Sequence, residues 1–358
     1  MVVIILSLIV IVMVFISFLV GIKQYKRNLK NNEYDLLEYL EKHKDNLSIT
    51  IKEDGHDTLT FNQNVKFPLA STVKIIIAFN FVRLVTTCKL SLSEKVSLSY
   101  IDKFYVVNTD GGAHPEWKKS IDNSSEVSLL DVAKGMMQFS SNACTDYLMN
   151  RIGLDVINES LSDLQINTHD KIIYLTPSVL MPGYLSDKKK IATTKMETMK
   201  SASYQSLSEE LFKKTEQGEC EDLKEKTSRM LSRKIQYLIT EKLPSSTTKD
   251  YVDLMYKLGK EILSDEEKKL FSEILIGENI KGNQDNYFWY KGGATPFVLT
   301  SSLYKENAEH SIVISLFMRD EKAEDSYWIQ NIFNNFIFSI ATDIDFKNKV
   351  KSIFKENM

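Results

Sequence analysis

Ser71 and Lys74 lie three residues apart in the segment FPLASTVK, and an apolar run, 75–79, follows directly. Residues i and i+3 of a helix share one face, so the two side chains are predicted to lie side by side. A serine hydroxyl is a weak nucleophile and needs an adjacent base. A lysine is such a base where burial and nearby cations lower its pKa, and the apolar run predicts that burial. The same spacing also occurs in polar or terminal stretches, at Ser186/Lys189, Ser246/Lys249 and Ser352/Lys355, so the pattern alone is weakly specific.

Two further polar groups have types suited to the same chemistry. Ser140 and Asn142 lie in MMQFSSNAC, where two predicted helices are interrupted. Either residue could simply cap a helix, but together they offer a hydroxyl that relays a proton and an amide that binds a carbonyl. Lys291-Gly292-Gly293, followed by Ala294 and Thr295, lies on a predicted strand. Its glycines allow a substrate to lie against the strand, and its lysine either holds a substrate carboxylate or is merely solvated.

The elements that must position these groups fall into three parts. LSITIK (47–52) and DTLTF (57–61) alternate apolar and polar residues around Asp54-Gly55, which is typical of a hairpin. Late strands are predicted at 286–292, 297–304 and 310–318, helices at 31–45, 72–86 and 325–340, and mainly helices in between. The pattern predicts an α+β fold, in which an antiparallel sheet joins the first and last strands and is flanked by helices, with an inserted all-helical lobe.

The order S-x-x-K, S-x-N and K-G-G over residues 45–340 resembles the serine β-lactamase and penicillin-binding protein superfamily, and FPLASTVK is especially similar to the class A β-lactamase form. The resemblance implies a β-lactamase/transpeptidase-like fold with Ser71 as the acylated nucleophile and Lys74 as the base for acylation. It further implies that Ser140 relays a proton to the leaving nitrogen, Asn142 binds the substrate side-chain amide and Lys291 binds the carboxylate. Backbone amides of Ser71 and Ala294 would form the oxyanion hole, with Gly293 and Thr295 completing the substrate-binding strand.

The sequence departs from that family where its members carry a Glu-Pro pair in a loop. Thr176-Pro177 stands at that position, and the stretch 174–185 contains no carboxylate. Threonine can orient a water molecule but does not accept its proton near neutral pH, and general-base catalysis is typically worth about 10²- to 10⁴-fold. We therefore expect acylation to survive and deacylation to be slow. Gly292 and Ala294 also replace residues that often carry hydroxyls, which leaves carboxylate recognition to Lys291 and Thr295.

His114 lies in NTDGGAHPEW, on the loop expected to rim the site. We expect an ordinary structured loop there, and the alternative is that His114 is an accessory group, either a proton donor or a substrate contact. The segment 188–244 is rich in Lys, Glu and Ser. We expect a solvated helical insertion there, and the alternative is a basic surface for anionic wall polymer or lipid.

Residues 2–22 contain no charged residue, and 18 of these 21 residues are apolar. Such a stretch is long enough to span a bilayer as a helix, and it lacks a typical cleavage site. We divide the chain into a transmembrane anchor and juxtamembrane segment (1–30) and a catalytic domain (31–358) with the charged insertion at 188–244. The basic residues that follow the anchor favour a cytoplasmic catalytic part, whereas the catalytic motifs favour an extracellular one, which we adopt.

Composition excludes several other classes. A formal charge of −3 offers no global basis for binding nucleic acid. Three cysteines and five histidines, without metal-ligand spacing, predict neither a disulfide framework nor a metal site, and no cofactor is expected.

The combined expectation is a monomeric serine hydrolase of the β-lactamase or D-Ala-D-Ala peptidase type, held in the cell membrane by a single-pass anchor. Its substrates would be β-lactams or D-alanyl amide or ester groups of peptidoglycan. The alternatives are a β-lactam trap or sensor that stays acylated and a catalytically inactive structural member. Adducts on Ser71 would separate these readings.

Overall fold

A computed structural model describes residues 30–122, 124–276, 286–323 and 325–355. The expected anchor at 2–22 lies outside these residues. Among the helices that the structure describes, none is both long and apolar enough to cross a bilayer.

The strands of the described residues are β1 (Leu47–Glu53), β2 (His56–Phe61), β3 (Phe67–Pro68), β4 (Lys95–Ser97), β5 (Glu126–Ser128), β6 (Ser245–Ser246), β7 (Tyr287–Thr295), β8 (Val298–Glu306) and β9 (Ser311–Arg319). Five of them form the central antiparallel sheet, in the order β2-β1-β9-β8-β7. Leu47 of β1 pairs with Met318 of β9, so the expected junction of the first and last strands is confirmed. The predicted hairpin is also present, with Asp54 and Gly55 at positive φ in its turn.

The α-helices of the described residues are α1 (Glu33–Lys42), α2 (Lys74–Thr86), α3 (Leu98–Asp102), α4 (Ala113–Ser120), α5 (Leu129–Met137), α6 (Asn142–Ile152), α7 (Leu154–Asp163), α8 (Thr176–Leu185), α9 (Lys189–Thr198), α10 (Ser201–Gln217), α11 (Glu221–Met230), α12 (Arg233–Glu241), α13 (Thr248–Lys257), α14 (Asp265–Ile276), α15 (Ser326–Thr342) and α16 (Ile344–Phe354). Some of these helices cover the two faces of the sheet. One apolar core unites α1, α15 and α16 with one face of the sheet. A second core unites the opposite face with the helical lobe around α2.

Strand periodicity explains this division. Successive side chains of a strand point to opposite faces. Ile312, Ile314 and Leu316 of β9 accordingly pack in the core of the terminal helices, whereas Val313 and Phe317 of the same strand pack against the α2 lobe. Both faces of the central strand β9 are buried. Its sequence is therefore almost continuously apolar instead of alternating between apolar and polar residues.

The charged insertion belongs to a longer excursion that leaves and re-enters the fold at one point. The Asp170 amide donates to the Ser245 carbonyl at 2.9 Å, and the Ser245 amide donates to an Asp170 carboxylate oxygen at 3.1 Å. Between these residues lie helices α8 to α12, which share a separate apolar core that includes Leu180, Tyr204 and Ile235. The insertion is helical as expected, but it is packed rather than solvated throughout.

Candidate active site

Ser71 lies in a short 3-10 helix, Ala70–Val73, which leads directly into α2. Its side chain is partly exposed and lines a cavity of about 810 Å³. Ala70, immediately before it, has a φ of 45°, a left-handed conformation that costs a non-glycine residue about 1–3 kcal/mol. The turn therefore holds Ser71 at the cavity wall at some cost in backbone strain.

Lys74 is the first residue of α2 and is fully buried. Its Nζ atom donates to the Ser140 carbonyl at 2.7 Å, the Ser140 hydroxyl at 3.2 Å and Asn142 Oδ1 at 3.0 Å. Burial holds the Lys74 pKa well below its ordinary value, and the nearby charge of Lys291 lowers it further, against the opposing effect of Asp146 and Asp110. Lys74 therefore connects the first and second predicted motifs. Its burial favours the neutral amine that a base requires.

Lys291 connects the third motif to the same point. Its Nζ atom donates to the Ser140 hydroxyl at 3.1 Å, so two lysines flank one serine oxygen. The Lys291 side chain is buried, and this burial lowers its pKa to about 8. Ser140 itself has a φ of 70°, a strained conformation that places its carbonyl and hydroxyl towards Lys74. All three motifs thus converge on Ser140.

Gly293 explains why the strand requires a glycine at its closest approach to Ser71. A Cβ atom at this position would lie 2.5 Å from the Leu69 carbonyl oxygen and 2.6 Å from the Ser71 amide nitrogen. No real Cβ tolerates such contacts, so only glycine lets β7 approach this closely. Ser71 and the following strand residue, Ala294, line the same cavity.

The expected loop position, Thr176, is at the N-terminus of α8 and does not line the cavity. Its hydroxyl donates to the Phe104 carbonyl at 2.6 Å, and the side chain is buried. Leu175 and Ser178 face the cavity instead. The position of Thr176 in the sequence did not reveal this orientation. Because its hydroxyl donates to the Phe104 carbonyl, that proton is not free to bind a water molecule in the cavity.

The backbone at Leu175 and Thr176 is held by Asp146, which sequence reasoning missed. The fully buried Asp146 carboxylate accepts the Leu175 and Thr176 amides, each at 2.7 Å. Burial raises the Asp146 pKa to about 6, although these hydrogen bonds oppose that shift. The sequence feature that could have indicated Asp146 is its position as the single acidic residue of α6, one helical turn after Asn142.

The insertion also contributes to the cavity, which the sequence did not predict. Thr240 of α12 donates to the Thr295 hydroxyl at 3.1 Å and so ties the insertion to the end of β7. Leu231, Ile239 and Leu243 form an apolar wall beside it. The Thr295 hydroxyl also accepts the amides of the turn that follows, at 3.1 and 3.2 Å.

His114 is fully buried and does not line the cavity, so the structure gives no support to the alternative of a direct contact with the substrate. Its ring lies between Asp102 and Ser141, at 2.8 and 2.9 Å.

Asp110 is the one acidic side chain among the described residues that line the cavity. One of its carboxylate oxygens accepts the Gly112 amide at 3.2 Å, and the other accepts the His114 amide at 3.0 Å. The carboxylate thus holds the start of α4. Within the described ranges, no cluster of three or more His, Cys, Asp or Glu side chains is spaced to hold a metal ion.

Comparisons with known proteins identify the family and agree with this fold. The profile described as "Beta-lactamase enzyme family" matches residues 32–282, more than two thirds of the chain, and the chain belongs to that family. It is 27% identical over 119 residues to β-lactamase BRO-1 of Moraxella catarrhalis, a match that covers 33% of this chain and 36% of that protein. The chain therefore matches only about a third of the length of this curated relative.

Solved structures resemble the fold at low sequence identity. A class A β-lactamase from Bacteroides cellulosilyticus gives a TM-score of 0.52 at 15% identity and covers 88% of this chain and 100% of that one. A β-lactamase from Chitinophaga pinensis gives 0.53 at 13% identity, over 87% and 100% of the two chains. These similarities establish the β-lactamase/transpeptidase fold: an antiparallel sheet flanked by helices.

Proposed function

We propose that this protein is an active-site serine hydrolase that forms an acyl-enzyme on Ser71 with β-lactams or with D-alanyl amides or esters of the cell envelope. The observation that carries the proposal is the Ser140 oxygen, which accepts hydrogen bonds from both Lys74 and Lys291 beside the cavity that Ser71 lines. A relay serine between two buried lysines suits proton transfer to a leaving nitrogen. Family membership supports the same reaction class.

In the proposed acylation, neutral Lys74 accepts the Ser71 proton while the Ser71 oxygen bonds to the substrate carbonyl carbon. The lowered Lys74 pKa favours the neutral amine at the start of this step. The amides of Ser71 and Ala294 bind the oxyanion as negative charge develops. Ser140 then donates its proton to the leaving nitrogen and regains one from Lys74, and the C–N bond breaks. Ser71 is left as an ester.

Substrate orientation follows from the order of residues along β7. Lys291, Gly293 and Thr295 are two residues apart on β7, so their positions share one face of the strand. Along this face the charged lysine comes first, then the glycine nearest to Ser71, and then the threonine that contacts the insertion. We propose that the substrate carboxylate binds at Lys291 and that Asn142 binds the acyl-side amide. The acyl side chain then extends past Thr295 towards Ile239.

Slow deacylation is the second part of the proposal. Leu175 and Ser178 supply no carboxylate to the cavity, and Thr176 faces Phe104. The Asp110 carboxylate is already bound by two backbone amides. Among the described residues that line the cavity, none therefore supplies a free carboxylate as general base for hydrolysis of the Ser71 ester, and general-base catalysis is worth about 10²- to 10⁴-fold.

Location and organisation belong to the same proposal. A single-pass anchor at 2–22 would hold a monomeric catalytic domain (31–358) at the outer face of the cell membrane, where envelope substrates are present. The apolar composition of 2–22 supports the anchor.

Intact-mass spectrometry after incubation with benzylpenicillin tests the function. We expect an adduct on Ser71 that persists for many minutes, and no adduct on the Ser71→Ala variant. Rapid loss of the adduct with sustained hydrolysis would contradict slow deacylation and indicate an efficient β-lactamase. Complete absence of an adduct, with the Ser71→Ala protein behaving identically, would favour the inactive structural alternative. A lasting adduct without turnover of D-alanyl esters would favour the trap or sensor.

A further inference from the structure

A chain of buried polar contacts leads from the protein surface to the turn that carries Ser140. Lys118 donates to one oxygen of Asp102 at 2.8 Å, and His114 Nε2 lies 2.8 Å from the other oxygen. His114 Nδ1 lies 2.9 Å from the Ser141 hydroxyl. The His114 and Ser141 side chains are fully buried, so no water can replace either contact without rearrangement.

The donors in this chain can be assigned from its geometry. The Ser141 hydroxyl accepts the Cys144 amide at 3.2 Å and thereby caps α6. The Asp102 carboxylate only accepts hydrogen bonds, so His114 Nε2 carries the ring proton and donates to Asp102. In the neutral ring Nδ1 is then the acceptor, and the Ser141 hydroxyl donates to it. Asp102 thus selects the tautomer of His114 that accepts from Ser141.

Hydrogen bonds fix the backbone of Ser141, which lies between Ser140 and Asn142 in the chain. Its amide donates to the Gly135 carbonyl at 3.0 Å, and its carbonyl accepts the Thr145 hydroxyl at 2.7 Å. The preceding residue, Ser140, is held at a strained positive φ, which persists only where the surroundings fix it. A serine hydroxyl has three staggered positions, so the cap on α6 needs a partner that selects one of them.

We propose that His114, held by Asp102, is a positioning residue for acylation: it fixes the Ser141 hydroxyl and thereby the turn that presents Ser140 and Asn142 to Lys74. The proposal rests on the proposed acylation of Ser71 for its kinetic consequence. His114 touches neither substrate nor cavity and acts only through Ser141. The residue that the sequence offered as a substrate contact is, on this view, a support for the S-x-N motif.

Two substitutions of His114 distinguish the contact of Nδ1 with Ser141 from the contact of Nε2 with Asp102. Asparagine places an amide oxygen near the former Nδ1 position, so His114→Asn retains an acceptor for Ser141 and loses the Asp102 contact. Glutamine places a donor near the former Nε2 position, so His114→Gln retains the Asp102 contact and loses the acceptor. We expect His114→Asn to acylate within about threefold of wild type and His114→Gln about tenfold or more slowly, since a buried hydroxyl loses its acceptor.

The matched control is Glu267→Gln, which weakens the ion pair between the buried Glu267 and the half-exposed Arg83, away from the cavity. Thermal unfolding of all variants and the rate of benzylpenicillin acylation are measured at several penicillin concentrations. We expect the His114→Gln defect to lie mainly in the limiting acylation rate, and the control to lose stability without that defect. In a Ser141→Ala background, His114→Asn and His114→Gln should become equivalent.

Hydrogen exchange of the peptide around 139–146 gives a readout independent of activity. We expect faster exchange in His114→Gln than in His114→Asn. Equal exchange in the two variants, or acylation rates that follow thermal stability alone across all variants, would overturn the positioning role. If wild-type protein forms no adduct, the proposed function fails, and the exchange comparison still decides whether His114 fixes the turn.

Discussion

Replacing Gly293 by alanine is the sharpest test of how the strand meets the nucleophile. The new Cβ would lie 2.5 Å from the Leu69 carbonyl oxygen, 2.6 Å from the Ser71 nitrogen and 2.7 Å from the Thr300 hydroxyl. Ordinary contact begins at 3.4 Å, so β7 must retreat by about 0.9 Å (3.4 minus 2.5) to relieve the closest contact. Two of the three neighbours are backbone atoms and cannot rotate away.

The retreat would move the Ala294 amide together with the strand. Misplacement of a reacting group by about 1 Å can cost roughly 10²-fold in rate, and loss of one oxyanion donor costs about 10²- to 10³-fold. We therefore expect Gly293→Ala to acylate about 100-fold more slowly than wild type. Overpacking of a filled site costs about 1–3 kcal/mol, so some loss of stability should accompany the kinetic defect.

The assay is the rate of adduct formation with a fluorescent penicillin, read beside thermal unfolding. Gly183→Ala is the control, because its Cβ would meet nothing closer than 3.7 Å on a helix and should raise stability slightly. Gly292→Ala provides a second comparison on the same strand. Its Cβ would meet only the Tyr290 hydroxyl, at 2.9 Å, on a side chain that can move. Acylation of Gly293→Ala within about threefold of wild type would refute the steric reasoning.

Three other predictions concern charge and shape around the cavity. Lys291 must be charged to bind a carboxylate and has a pKa of about 8, so kcat/KM should fall above that pH, and Lys291→Arg should move the fall to higher pH in a pH–rate profile. The pKa of Asp146 is raised from 3.8 to about 6 in the folded protein. The stability of wild type relative to Asp146→Asn should therefore be greatest below pH 4 and decline as the pH rises through about 6. A difference in unfolding temperature between the two proteins that does not change with pH would contradict this. Ile239→Asp should slow acylation by benzylpenicillin about tenfold more than acylation by 6-aminopenicillanic acid, which lacks the acyl side chain; equal effects on the two compounds would remove the insertion from substrate recognition.

Periodicity and turn chemistry were sufficient for much of the fold. The hairpin around Asp54-Gly55 and the late strands are present, because alternating patterns and glycine turns are local properties of a chain. The interruption at Ser140 was visible for the same reason. The final helix, α16, was not predicted, and neither was the separate apolar core of the insertion. Both depend on which surfaces meet, which the composition of a segment does not encode.

The candidate site divides in a similar way. The sequence by itself determined the chemical groups, namely Ser71, Lys74, Ser140, Asn142 and Lys291, because residue type and order carry that information. It could not determine where a side chain points. Thr176 faces the Phe104 carbonyl and His114 faces Ser141, and in each case the direction is set by partners that are distant in the sequence or in another helix.

Only the tertiary structure decided that the Ser140 hydroxyl accepts from two buried lysines and that the insertion lines part of the cavity. It also decided the proton affinities, since the lowered pKa of Lys291 and the raised pKa of Asp146 both arise from burial. Burial is a property of packed neighbours rather than of a residue type. The sequence therefore supplied the groups that we propose to react, and packing supplied their positions and shifted their pKa values.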